Sequence, residues 1–173
     1  MGQYYVIANI DKREFIDPYA FGSGVKLMEF SMDGASTMTG LAVLLASSNG
    51  MGGGDLHLPH ETAFSHVPGR WAGDRIVVAG DYDDREDSPG FKVYNRCGNS
   101  SPIEELANSS EPTGMFTDIS YDVLGCLLED GGFRGTFLDV ESENASWTDY
   151  LKKRRREAWE KARPNDAVPE VLV

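Results

Sequence analysis

Three glycine–aspartate pairs, Gly54-Asp55, Gly73-Asp74 and Gly80-Asp81, bring carboxylates to places where the chain turns, and Asp83 and Asp84 follow the last of them closely. Hard divalent cations are held by oxygen-rich sets of this kind, so these carboxylates, Asp55, Asp81 and Asp84 among them, are candidate ligands for Mg²⁺, Mn²⁺ or Ca²⁺. Aspartate also serves turns with no ligand at all, by bonding its own backbone. His57, His60 and His66 are the chain's only histidines. Their spacing matches no recognised metal motif, and Pro59 keeps the first two off a shared helical face.

A second constellation lies in the stretch 69–84, GRWAGDRIVVAGDYDD. A bulky indole in a glycine-bounded turn offers a flat wall beside charged groups, so Arg70, Trp71, Asp74 and Asp81 are expected around one loop-lined ligand pocket. The competing expectation is a folding turn in which Trp71 fills the core; burial of Trp71 with Arg70 paired to structural carboxylates would decide for the turn. Phe21-Gly22-Ser23-Gly24-Val25-Lys26 has a Gly-x-Gly-x-Lys form whose backbone amides can cradle phosphate, although it has neither the spacing nor the following Ser or Thr of a P-loop. Lys152, Lys153, Arg154, Arg155 and Arg156 make the only basic run. It is a candidate docking surface for an acidic protein partner, against the plainer reading of charge compensation on an acidic molecule. Nothing resembles a nucleophile elbow, and neither Cys97 nor Cys126 has a nearby histidine in sequence, so a triad hydrolase is not indicated.

The elements that must position these groups follow from pattern. Residues 3–10 put Tyr4, Val6, Ala8 and Ile10 on one face and Tyr5 and Ile7 on the other, which predicts a central strand; 14–16 is expected to pair back onto it. Residues 75–79 have the continuous β-branched character of a strand covered on both faces, and further strands are expected at 26–30, 91–94 and 134–140. Helices are expected at 37–46, with Met38, Leu41, Ala42 and Leu45 facing the core, at 120–130, stopped by Gly131-Gly132, and at 147–162, capped by Ser146 with Trp147, Leu151, Ala158 and Ala162 inward. The mixture lacks the regular alternation of a doubly wound sheet, so the expected fold is α+β: a single domain over 1–163, a mixed or antiparallel sheet flanked by about three helices, and a C-terminal tail over 164–173.

The chain has 173 residues, 40% of them hydrophobic and 25% charged, which is ample for a packed core without disulfides or structural metal. Its formal net charge of −12 repels phosphate backbones, so nucleic acid is not an expected partner. Two widely spaced cysteines supply no disulfide framework. No apolar run is long enough to cross a bilayer and no secretory pattern precedes the first strand, so a cytoplasmic location is expected.

Two resemblances add to these readings. Asp55-Leu56-His57, then Gly80-Asp81-Tyr82-Asp83-Asp84, then Gly98-Asn99 resembles the D-x-H, G-D-x-x-D and G-N-H series of the metallophosphoesterases. The resemblance implies Asp55, His57, Asp81 and Asn99 as ligands of a two-metal centre that polarises phosphate and activates a bridging water. Ser100 stands where that series has its last histidine, and no histidine follows His66. The span from Met1 to Tyr82 carries MGQYY, Asn9-Ile10-Asp11-Lys12-Arg13, Gly22-Ser23-Gly24-Val25-Lys26-Leu27, Met38-Thr39-Gly40-Leu41, GRWAGDRI and AGDY. It is similar to a family of proteins from bacteria, their phages and fungi, a resemblance that implies an intracellular domain and no particular activity. With the catalytic set incomplete, the expected function is a binding or interaction protein for a small phosphate-bearing or nucleotide-like ligand or a protein partner. A divalent-metal phosphoesterase is the alternative.

Overall fold

The computed structural model describes residues 3–22, 24–31, 36–49, 52–59, 62–83, 85–90, 93–97, 116–141 and 144–173. Strands β1 (Tyr5–Asn9), β2 (Glu14–Ile16), β3 (Ile76–Gly80) and β4 (Thr117–Asp118) form one mixed sheet in the order β3-β1-β2-β4. β1 runs antiparallel to both β2 and β3, and β2 pairs parallel with β4. With the helices α1 (Thr37–Leu45), α2 (Val93–Arg96), α3 (Ser120–Leu127), α4 (Gly131–Leu138) and α5 (Ala145–Ala162), the architecture is α+β.

The alternation in β1 explains why it lies inside the sheet. Ile7 and Ile16 join the larger core cluster with Leu44, Trp71, Val123, Phe137 and Trp159, while Val6, Ala8, Phe15 and Ala79 pack on the other face with Val93 and Cys97. Both faces of β1 are therefore buried, as its two-sided apolar pattern requires. β3 differs from its expected place. Among the described residues it lies at the sheet's edge with β1 as its one neighbour, and Val78 is 41% exposed.

Three segments expected as strands are helical. Over 134–140 the sequence hides an i, i+4 pair, Phe133 and Phe137, whose rings stack at 6.3 Å on α4. Gly131 and Gly132 begin this helix instead of stopping the previous one, because the Asp130 carboxylate accepts the Gly132 and Phe133 amides at 2.8 and 3.0 Å. Over 26–30 the chain forms a 3₁₀ turn, Leu27–Ser31, held by Glu29, whose side chain accepts the Lys26 amide at 3.1 Å while its own amide donates to the Lys26 carbonyl at 2.9 Å. Of 91–94, Val93 and Tyr94 belong to α2, and 91 and 92 lie outside the described residues.

Helix faces also shift. α1 buries Thr37, Gly40 and Leu44 and leaves Met38 and Leu45 about half exposed, since its last turn is pinned by the next loop: the Gly69 and Trp71 amides donate to the Val43 and Leu44 carbonyls at 2.9 and 2.8 Å. Gly69 has φ +73, and a Cβ there would meet the Ala46 carbonyl oxygen at 2.6 Å, so this close approach needs glycine. α5 is capped by Asn144, not Ser146; the Asn144 side chain accepts the Ser146 and Trp147 amides. Residues 164–173, read as a tail, end in a 3₁₀ turn (Glu170–Leu172) whose Leu172 is buried in the main cluster. Among the described residues no helix is long and apolar enough to cross a membrane.

Candidate functional site

Trp71 is 0% exposed, which removes it as a pocket wall. Its indole Nε1 donates to Glu14 Oε2 at 2.8 Å, and Arg70 clamps the same carboxylate through Nε at 2.9 Å and a terminal nitrogen at 2.6 Å. Glu14 is itself buried on β2. Burial pushes its carboxyl up, but the bonds from Arg70 and Trp71 outweigh that and hold it below the ordinary glutamate value. The Gly-Arg-Trp turn is thus a lock between β2 and the C-terminal end of α1.

The other members of that expected pocket are separated by β3. Asp74 precedes the strand and pairs with Lys12, and its Oδ2 also accepts the Asn9 side chain at 2.8 Å; the Lys12 and Asn9 bonds hold its carboxyl low. Asp81 follows the strand, where its Oδ1 accepts the Tyr4 amide at 3.0 Å. The strand β3, Ile76–Gly80, stands between them, a span of roughly 16 Å at the usual rise per residue.

The metal set is divided in the same way. Asp55 and His57 line one surface hollow with Asp130 at the start of α4. The Asp55 carboxylate accepts the Gly52 amide at 2.7 Å, and the Asp130 carboxylate is engaged by three amides, those of His57, Gly132 and Phe133. Asp81 is committed to Tyr4, while Asp84, Asn99 and His60 lie outside the described residues. No group of three or more His, Cys, Asp or Glu side chains among the described residues is arranged to hold a metal ion. Cys97 and Cys126 are buried thiols pushed up to about 12 by that burial, which makes them unreactive at neutral pH.

The basic run does not form one surface. Arg155 is 3% exposed, and one terminal nitrogen donates to the carbonyls of Thr136, Phe137 and Asp139 at 3.1, 2.5 and 2.9 Å. It caps the C-terminal end of α4 from a neighbouring helix, where a cation also meets the negative end of the helix dipole. Arg154 lies over the Tyr19 ring at 4.4 Å and near the Tyr150 ring at 5.9 Å. Lys153 is exposed and Lys152 and Arg156 are half-buried.

Tyr19 and Tyr150 belong to a cleft of about 520 Å³ that brings together segments far apart in sequence. Tyr4 enters from just before β1, Tyr19 from a 3₁₀ turn (Pro18–Phe21), Gly24, Val25, Lys26 and Glu29 from the following loop, and Trp147 and Tyr150 from the first turns of α5. Three of these positions have a fixing hydrogen bond. The Asp81 side chain holds the Tyr4 amide, the Asp17 side chain accepts the Tyr19 amide at 3.0 Å, and the Tyr5 amide donates to the Val25 carbonyl at 2.9 Å. Glu29 folds so closely over Gly24 that a Cβ there would meet its carboxyl oxygen at 2.0 Å and its Cβ at 2.7 Å.

Tyr4, Tyr19, Trp147 and Tyr150 are each between 43% and 51% exposed, and the Trp147 and Tyr150 rings stack at 5.1 Å with 22° between their planes. Trp147, expected in the core, is on the solvent side of α5. Burial, and then Tyr4, push the Tyr19 phenol above its ordinary value, against the pull of Arg154, so it remains a neutral hydrogen-bonding group at neutral pH. The available sequence signal was the Trp147 and Tyr150 spacing on a helix; Tyr4 and Tyr19 carry no local mark that would place them beside it. The arrangement offers aromatic faces, a phenolic donor and two cationic side chains, Lys26 and Arg154, at or beside one opening.

Compared with protein-family models, with curated proteins and with solved structures, the chain matches none.

Proposed function

We propose that this chain is a binding protein whose aromatic cleft takes a nucleotide-like ligand, a planar base carrying phosphate. The observation that carries this reading is the half-exposed cluster of Tyr4, Tyr19, Trp147 and Tyr150 around a cavity of about 520 Å³. Large aromatic surface left to water in one patch favours a ligand that covers it, and a base can stack on any such face. Lys26 and Arg154 supply the positive charge that a phosphate requires on an otherwise acidic molecule. Arg154 already lies over the Tyr19 ring, which disfavours a cage for a second cation there.

Trp147 reports on occupancy, because Trp71 and Trp159 are buried and it alone of the three tryptophans is half exposed. Titration with AMP is expected to quench its emission saturably, with adenosine and orthophosphate each binding more weakly than the whole nucleotide and tetramethylammonium giving no response. Trp147→Ala is expected to weaken binding of AMP, measured by calorimetry, by about 5- to 150-fold, the range that loss of one stacking surface covers. Absence of binding by AMP and by the other ribonucleotides would refute the reading, and so would turnover of a nucleotide in the presence of Mn²⁺ or Mg²⁺.

A further inference from the structure

Glu29 is the one carboxylate among the described residues that line the aromatic cleft. It is half-buried, and its own turn fixes its place: Oε2 accepts the Lys26 amide at 3.1 Å and lies so close over Gly24 that a Cβ there would meet it at 2.0 Å. That is a single bond. An ionised carboxylate has about four acceptor positions on its two oxygens, and the described residues give Oε1 no hydrogen bond and Glu29 no ion pair.

Such a group accepts hydrogen bonds and cannot donate them, so it selects among ligands by the donors they present. Of the common ribonucleotide bases, only guanine carries two donors side by side, N1–H and an N–H of the 2-amino group, and these match the paired oxygens of a carboxylate. Adenine and cytosine each place an acceptor beside their exocyclic amine, and uracil flanks its one N–H with carbonyls. A carboxylate set against any of these edges meets a lone pair.

Charge decides which end of the ligand comes to Glu29. A phosphate is repelled by the carboxylate and attracted to Arg154, which lies over the Tyr19 ring and belongs to α5, a different element from the loop that carries Glu29. In a 5′-nucleotide the pairing edge of the base is the end remote from the phosphate. Lys26 is exposed and carries its ammonium on a flexible stem, which lets it follow the phosphate without fixing the base.

We propose, resting on the nucleotide-binding reading of this cleft, that Glu29 makes it selective for guanine, the carboxylate accepting N1–H and the 2-amino group of the base while the phosphate lies towards Arg154.

Calorimetric titration of the full chain with GMP, IMP, AMP and 2′-deoxy-GMP is the test. The wild type is expected to bind GMP about 5- to 150-fold more tightly than AMP, the range that one well-placed pair of hydrogen bonds covers. IMP, which keeps N1–H and lacks the 2-amino group, should fall between them. Glu29→Gln retains an oxygen for the Lys26 amide, and its own amide matches adenine, donating to N1 while its oxygen accepts from the 6-amino group. The variant is therefore expected to keep the circular dichroism spectrum while its preference passes from GMP to AMP. A glutamate that only supported its turn would shift both nucleotides by one factor and leave their ratio unchanged. Equal affinity of the wild type for GMP and AMP, or an unchanged ratio in Glu29→Gln, would overturn the selectivity and leave nucleotide binding standing. A weaker affinity for 2′-deoxy-GMP than for GMP that Glu29→Gln abolishes would assign the carboxylate to the ribose and overturn it as well. Binding of none of these nucleotides would overturn both readings.

Discussion

Glu14 shows how one side chain decides the use of its neighbours. The carboxylate is buried, so its charge needs partners, and Arg70 and Trp71 supply them from a turn 56 and 57 residues away. That commitment withdraws both residues from ligand binding and makes them part of the packing between β2 and α1. Glu14→Gln keeps the volume and one acceptor but loses the charge that the guanidinium faces. It is expected to cost about 2 kcal/mol in urea unfolding, with the slope of the transition unchanged. A loss within the few tenths of a kcal/mol typical of surface substitutions would show that the clamp contributes little. At the same scale, Gly24→Ala forces Glu29 off the Lys26 amide and reshapes one wall of the aromatic cleft. Weaker AMP binding with a nearly unchanged melting temperature is the expected result, measured by calorimetry and thermal denaturation together.

At the scale of elements, α5 does two separate jobs along its length. Its first turns present Trp147 and Tyr150 to solvent, and its middle inserts Arg155 against the end of α4. Five consecutive basic residues go all round a helix, so their fates had to differ: one side of α5 is buried and the other is not. Arg155→Ala would leave three carbonyls at the end of α4 without that donor in a buried setting. A destabilisation of about 3 kcal/mol is expected, compared with under about 0.5 kcal/mol for Lys153→Ala on the exposed side. Arg155→Lys should recover only part of the loss, since an ammonium cannot reproduce the guanidinium's planar set of donors. Equal effects of the Arg155 and Lys153 substitutions in chemical denaturation would contradict the capping role.

For the whole molecule, acid is the condition that tests several of these contacts together. The carboxyls of Glu14 and Asp130 are both held below their ordinary values: burial raises each, and the bonds from Arg70 and Trp71, and from the His57, Phe133 and Gly132 amides, lower them further. A depressed folded-state value means that the unfolded chain binds protons more readily. The stabilisation is complete above the unfolded values, near pH 4, and is lost as pH falls through the lower folded ones. The melting temperature is therefore expected to be flat from neutrality down to about pH 5 and to fall steeply below about pH 4. Glu14→Gln should make that fall shallower, and an acid limb of the same steepness in wild type and Glu14→Gln would argue against the linkage.

Local pattern was enough for the elements whose cause is local. The two-sided apolar alternation of β1, the pairing of β2 back upon it, and the helical spacing of Leu151, Ala158 and Ala162 in α5 were all legible, and the α+β architecture followed from their mixture. Where the deciding partner is distant, local pattern failed in both directions. The run before Gly80 reads as a strand covered on both faces, yet Val78 is exposed, because β-branched residues look alike whether or not tertiary packing covers them. Gly131-Gly132 reads as a helix stop until Asp130 is seen to cap the helix that begins there. The candidate site belongs mostly to this second kind. Gly24 and Lys26 were marked by their loop, but Tyr4, Tyr19, Trp147 and Tyr150 converge from segments up to 146 residues apart, and an aromatic side chain carries no local sign of whether tertiary packing will bury it, as it does Trp71, or leave its face to water, as it does Trp147.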